Sequence, residues 1–240
     1  MYHQWPENMD EPRRILGPHV VAGAAPLTDG MKKTDGLSVL IVDMAKAKNN
    51  GLTIRPIRTM MNHATTEVFF DNLRVPVSNL IGEEGKGFRY ILSGMNAERI
   101  LIAAECIGDA KWFTQKSVNY AKERSIFGRP IGQNQGIQFP IAKAYANMRD
   151  AELMVQSALA LYEAGQNPGA EANMAKMLAA DASFEAANAC VQTHGGFGFA
   201  EEYDVERKFR ETRLYQVAPI STNLILSYIA EHVLGMPRPY

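Results

Sequence analysis

The sequence predicts an α+β chain in which a short β-rich part is followed by an antiparallel helical bundle. Residues 37–43, LSVLIVD, form a short β-branched apolar run after Gly36, and TIRPI and TEVFFDNLRV follow with strand-like composition and turn residues between them. From Gly87 onward this pattern gives way to long stretches of Ala, Leu, Met, Glu and Lys. These stretches break at FGRPIGQNQG, GQNPGAE and HGGFGF, where Gly, Pro and Asn separate one helix from the next.

Taken in order, residues 1–36 are rich in Gly, Pro and His without periodicity, and mostly irregular structure is expected there. The strand-like pieces number only three or four. A small open sheet with exposed edges is marginal alone, so the region reads as a sheet fragment. Helices are expected over 88–123, 134–164, 169–194, 203–213 and 220–234, the first three long enough to form the body of an antiparallel bundle.

Charge and composition exclude several function classes. With 25 basic and 26 acidic residues, the chain carries no bulk field to recruit nucleic acid or an anionic membrane. Cys106 and Cys190 are the only cysteines and lack paired or His/Cys spacing, so neither a disulfide framework nor a metal site is expected. The N-terminus lacks an apolar signal core and no apolar run reaches the length of a membrane span, so a cytoplasmic protein is expected.

Three stretches could carry chemistry. In YAKERSIFGRPIGQNQGIQF, Arg124 offers a forked cation suited to phosphate oxygens, Phe127 a flat apolar face and Gln135 a two-way amide. The alternative is a helix hairpin with a surface arginine and a core Phe. In VQTHGGFGF, consecutive glycines let a ligand approach the backbone and free N–H groups for an anion, with Gln192 beside them. The alternative there is a helix C-cap and turn. In LSGMNAERILIAAECIG, Glu98 shares a helix face with Met95, Leu101 and Ile102, while Gly94 leaves a gap one turn earlier. Desolvation there would raise its pKa, as a base for a weakly acidic C–H requires. The alternative is a Glu at the edge of the stripe, paired with Arg99 or another helix.

Taken in order, TEVFFDNLRVPVSNLIGEEGKGF, NAERILIAAECIG, YAKERSIFGRPIGQNQGIQF, ANMAKMLAADA, VQTHGGFGFAEEYDVER and FRETR resemble the acyl-CoA dehydrogenase family. The resemblance implies a partial middle β-barrel-like domain over 1–84 and a C-terminal four-helix bundle over 85–240. It also implies that an N-terminal helical domain and the early barrel strands lack a counterpart, so the chain is expected to be N-terminally truncated. The family cofactor is FAD, the substrate an acyl-CoA thioester and the electron acceptor an electron-transfer flavoprotein, within a homodimer or homotetramer. The implied reaction removes the α proton with a carboxylate while the β hydrogen passes as hydride to the flavin, giving the trans-2-enoyl-CoA. Two other expectations stand beside it: a non-catalytic interaction subunit, and oxygen-using chemistry like that of the acyl-CoA oxidases.

By the same resemblance, Arg124, Ser125 and Ile126, with Phe127 beside them, match the loop on the pyrophosphate side of FAD. Asn134 and Gln135 match adenine-side contacts. Gln192 to Gly196, including Gly195, match a glycine turn that faces FAD from a neighbouring subunit. Met95, Asn96 and Arg99 fall where the first bundle helix approaches the acyl-CoA. The family's C-terminal catalytic Glu would stand at Pro219, which has no carboxylate, while Ser221 keeps a hydroxyl and Asn223 an amide for FAD. In branches where the base lies on the first bundle helix, its position matches Glu98. Pro219 is then expected to open the last helix at its first turn.

Overall fold

The computed structural model describes residues 18–24, 34–48, 50–61 and 65–238, and the chain divides into two compact units, Met1–Gly94 and Met95–Tyr240. The strands of the first unit are β1 (Pro18–Ala24), β2 (Leu37–Asp43), β3 (Leu52–Ile57), β4 (Thr65–Phe70) and β5 (Leu80–Ile81), and one turn of helix, α1 (Met44–Ala47), follows β2. Strand β1 corrects the irregular structure expected before residue 37. It pairs antiparallel with β2 along its whole length, from Pro18↔Asp43 to Ala24↔Leu37. PHVVAGA has too few bulky residues to announce a strand by alternation, and the ladder to β2 supplies what propensity does not. The remainder of that stretch, 1–17 and 25–33, lies outside the described residues.

On its other edge β2 pairs with β5, giving the order β1-β2-β5, while β3 and β4 form a separate antiparallel ribbon from Leu52↔Phe70 to Ile57↔Thr65. Val42, Met44, Ala47 and Leu52 make a small core, joined by Ile54, Leu73 and Val75. All six residues of β4 are exposed. Gly87 is set by close packing: a Cβ there would lie 2.8 Å from the Leu37 carbonyl oxygen.

The second unit is the bundle. Helix α2 (Gly87–Glu123) leads through a short hairpin, β6 (Ser125–Ile126) and β7 (Arg129–Pro130), into α3 (Gln135–Glu163). The short connection 164–168 turns the chain back into α4 (Gly169–His194), so α3 and α4 run antiparallel. Burial follows helical spacing: Ile100, Ala103, Cys106, Ile107, Ala110 and Phe113 on α2, and Ala144, Met148, Ala151, Val155 and Ala158 on α3. On α4 the core positions are mostly alanine, including Ala172, Ala175, Ala179, Ala180, Ala186 and Ala187. Such small side chains let neighbouring helices approach closely.

The fourth arm is split into α5 (Val205–Thr212), a 3-10 turn Arg213–Gln216, α6 (Thr222–Tyr228) and a π-helical turn Ile229–Val233. Pro219 does not open α6. It follows a cis peptide bond from Ala218, and Ser221 caps the helix instead, its extended backbone allowing its hydroxyl to accept the Leu224 N–H at 3.4 Å. Polar pairs fasten this arm to the bundle: Lys208 to Asp109 at 2.5 Å, the Tyr215 hydroxyl donating to Glu105 at 2.8 Å, and Thr212 to Ser183 at 2.5 Å. Among the described residues no helix is long and apolar enough to cross a membrane, and no cluster of His, Cys, Asp or Glu could hold a metal ion.

Candidate functional site

The hairpin between α2 and α3 turns on Phe127 and Gly128, with φ of 54° and 77°, the two positive values that a two-residue type I′ turn demands. Glycine accepts that geometry freely, whereas a bulky aromatic does so at a cost. Phe127 is also 100% exposed, which sets aside the alternative of a core Phe. The hairpin is anchored where the Ile131 N–H donates to the Arg124 carbonyl at 2.8 Å. Arg124 carries its guanidinium 5.9 Å from the Phe197 ring centroid, which brings the hairpin beside the turn after α4.

That turn begins at Gly195, with φ of 58°, after the buried His194. The His194 ring stacks on Tyr120 with centroids 4.1 Å apart. Its Nδ1 lies 2.8 Å from the Cys190 carbonyl oxygen; a carbonyl only accepts, so Nδ1 carries the proton and Nε2 is an acceptor. Among the described residues that Nε2 has no hydrogen-bond partner. Burial pulls the imidazole below its ordinary pKa, the Cys190 carbonyl opposes that shift, and the Lys116 charge adds to it. The ring is neutral near pH 7.

Between hairpin and turn lies a cavity of about 840 Å³, whose wall includes Tyr120, Arg124, Ile126, Phe127, Arg129, Asn134, His194, Gly195, Gly196 and Phe197. A Cβ at Gly195 or Gly196 would meet nothing within 4 Å, so both leave backbone beside open space. Asn134 is already engaged: its amide donates to the Ile131 carbonyl at 3.0 Å and its oxygen accepts from Arg129 at 3.1 Å. The cavity thus offers one arginine within reach of an aromatic ring, a second arginine held by Asn134, and an unprotected glycine backbone. This combination suits a flat, anionic ligand.

Six residues singled out from sequence meet in this wall: Arg124, Ile126, Phe127, Asn134, Gly195 and Gly196. Ser125, Gln135 and Gln192 stand close by in the chain but are not part of it, and all three are exposed. Ser221 and Asn223 lie elsewhere, at the start of α6. Tyr120, Arg129 and Phe197 joined the wall without being singled out, and His194 was included only as part of the Gln192–Gly196 turn. Their signal was present in the quoted motifs, but only the stacking of α2 against the end of α4 selects them.

Glu98, Met95, Asn96 and Arg99 share a segment of α2. Arg99 donates to the Asn96 side-chain oxygen at 3.0 Å. Burial pulls its guanidinium below the ordinary value, while Tyr228 of α6 and Glu98 oppose that shift. Glu98 itself is exposed and Leu101 is 67% exposed, so the chain's described residues do not supply the desolvation expected around this carboxylate. The buried seam of α2 runs through Ile100, Ala103 and Cys106, leaving Glu98 outside it. One helical turn earlier, a Cβ at Gly94 would meet nothing within 4 Å.

Comparison with known proteins gives this geometry its context. The family model for the C-terminal domain of acyl-CoA dehydrogenases matches residues 85–234. The acyl-CoA dehydrogenase fadE12 of Mycobacterium bovis is 39% identical over 176 residues, covering 72% of this chain and 45% of the relative. Butyryl-CoA dehydrogenase from Megasphaera elsdenii superposes with a TM-score of 0.82 at 28% identity, over 91% of this chain and 56% of that one. A chain in the structure of the electron transferring flavoprotein of Acidaminococcus fermentans superposes at 0.83 and 29% identity, over 92% of this chain and 58% of its own length. The chain therefore spans about half the length of the relatives it matches, and it belongs to the acyl-CoA dehydrogenase family.

Proposed function

We propose that the protein takes part in the FAD-dependent α,β-dehydrogenation of an acyl-CoA thioester to the trans-2-enoyl-CoA, with Glu98 as the base. The observation that carries this is the cavity of about 840 Å³, a volume suited to a nucleotide cofactor. Arg124 would meet the pyrophosphate through charge-assisted hydrogen bonds, and Phe127 would lie against a ring system. Gly195 and Gly196 would let the cofactor reach the backbone. Their role toward a neighbouring subunit's cofactor is part of the reading, together with a homodimeric or homotetrameric state. Ser221 and Asn223 would hold a second part of the flavin from the start of α6.

When bound, FAD supplies the acceptor for the hydride that leaves the β carbon. The chain's own part is to hold the thioester and remove the α proton. Glu98 takes that proton on a carboxylate oxygen, and the cover that its exposed side chain needs is provided by the bound thioester and cofactor. Asn96 and Arg99 orient the substrate from the same helix. Pro219 occupies the place where other members carry a carboxylate, which leaves Glu98 as the base on the bundle side. The family match beginning at residue 85 supports a middle domain over 1–84 and a bundle domain over 85–240. The match to the Acidaminococcus structure supports an electron-transfer flavoprotein as acceptor.

The deciding experiment is Glu98→Gln in the full-length protein. FAD should stay bound while bleaching of the flavin by acyl-CoA disappears. Bleaching at the original rate would refute the assignment of the base.

A further inference from the structure

Lys176 has no exposed surface at all. It sits about two turns into α4 (Gly169–His194), in a stretch whose other core positions are Ala172, Ala175, Ala179 and Ala180. Its ammonium donates to the Ile220 carbonyl oxygen at 2.6 Å, in the segment that joins the cis Ala218–Pro219 bond to the cap of α6. The charged and titratable groups around it are Cys106 and Arg99 on α2 and Asp181 on α4. Burial and Arg99 lower its pKa, while Cys106 and Asp181 raise it.

A buried ammonium met by a carbonyl is costly to desolvate, and an apolar side chain of the same length would fill the space without that cost. Packing therefore does not account for a lysine. What a lysine adds is a fixed point for one carbonyl, and that carbonyl immediately precedes Ser221. The segment is also held at its two ends: Gln216 before it donates to Asp181 at 2.8 Å, and after it Ile225, with no exposed surface, donates its N–H to the Ser221 carbonyl at 3.1 Å.

We propose that Lys176 is a positioning residue that, through the Ile220 carbonyl, fixes the start of α6 and so sets the Ser221 hydroxyl and the Asn223 amide for the flavin. This rests on the flavin reading above, although the latch itself is a property of the chain alone.

The test is Lys176→Met, which keeps length and removes the donor. The melting temperature should stay level or rise, because exchanging a buried charge for an apolar side chain of similar volume is neutral or stabilising. Amide hydrogen exchange should quicken over 217–225 while α4 stays protected, and the FAD dissociation constant should rise about tenfold. Unchanged exchange over 217–225 in the folded variant would overturn the latch. So would a lowered melting temperature with α4 opening as much as 217–225, the mark of a packing residue. Failure of the unsubstituted protein to bind FAD would refute the flavin reading, leaving the latch to stand or fall on the exchange data. Should Lys176→Met not fold, NMR of the unsubstituted protein with 15N-labelled lysine and 13C-carbonyl-labelled isoleucine decides. A slowly exchanging ammonium signal coupled across the hydrogen bond to the Ile220 carbonyl carbon supports the latch, and its absence overturns it.

Discussion

Tyr120 and His194 stack with ring centroids 4.1 Å apart and planes inclined by 24°, pinning the last turn of α4 to α2 in the wall of the cavity. The stack keeps an imidazole where protonation is penalised. Burial places its folded-state pKa below the unfolded value, so between the two the unfolded chain binds more protons and stability rises with pH. This contribution is complete above about pH 6.5, the ordinary value for histidine, and is lost as pH falls through the folded value. Denaturant midpoints should be lower at pH 5.5 than at 7.5. In His194→Phe, which keeps an aromatic face for Tyr120, the difference should shrink; an equal pH slope in both proteins would assign the loss to other groups.

Phe127 separates folding from binding. It is fully exposed and holds φ of 54°, so its side chain contributes little to folding and its backbone is unfavourable. Phe127→Asn, a residue that tolerates the left-handed region, should leave thermal stability unchanged or raise it by less than about 1 kcal/mol. The same change should weaken FAD binding by about 1 kcal/mol, the scale of a lost aromatic contact, read by flavin fluorescence titration. Unaltered affinity would remove Phe127 from the site.

Much of the bundle was legible because it rests on local chemistry. Gly, Pro and Asn punctuate long Ala-rich and Leu-rich stretches, and the observed α2, α3 and α4 begin and end within a residue of the expected positions. Strand β1 was not legible, since its pairing with β2 is made across a separate stretch of chain and leaves no alternation in PHVVAGA. The site was legible where a motif supplies its own geometry, as at Phe127-Gly128 and Gly195-Gly196. It was hidden where two elements must meet: Tyr120 and Phe197 look like ordinary core aromatics until α2 and the α4 turn are brought together. The exposure of Glu98 was hidden for the opposite reason, because helical spacing shows which residues share a face but not whether anything covers it.

Arg124 should carry the electrostatic part of cofactor binding. It is exposed, so Arg124→Gln should change folding stability by no more than about 0.5 kcal/mol. Loss of a charge-assisted hydrogen bond to a phosphate is worth about 1.5 to 3 kcal/mol, or about 10- to 150-fold in affinity. Isothermal titration with FAD at low and high salt checks this. The unsubstituted protein should lose affinity as salt rises, and the variant should lose less.

The glycines after α4 divide by what lies beside them. At Gly198 a Cβ would stand 2.7 Å from the Val191 carbonyl oxygen, a backbone atom that cannot swing away, whereas at Gly196 it would meet nothing within 4 Å. Gly198→Ala should therefore destabilise the protein by about 1–3 kcal/mol through overpacking. Gly196→Ala should stay within about 0.5 kcal/mol. If the open space at Gly196 is the space a cofactor fills, Gly196→Leu should fold with a normal melting temperature and yet bind FAD at least about tenfold more weakly, the cost of a clash at a close backbone approach. Equal FAD affinity in Gly196→Leu and the unsubstituted protein would place the cofactor elsewhere, and a melting temperature lowered as far as in Gly198→Ala would show that Gly196, too, is held by packing.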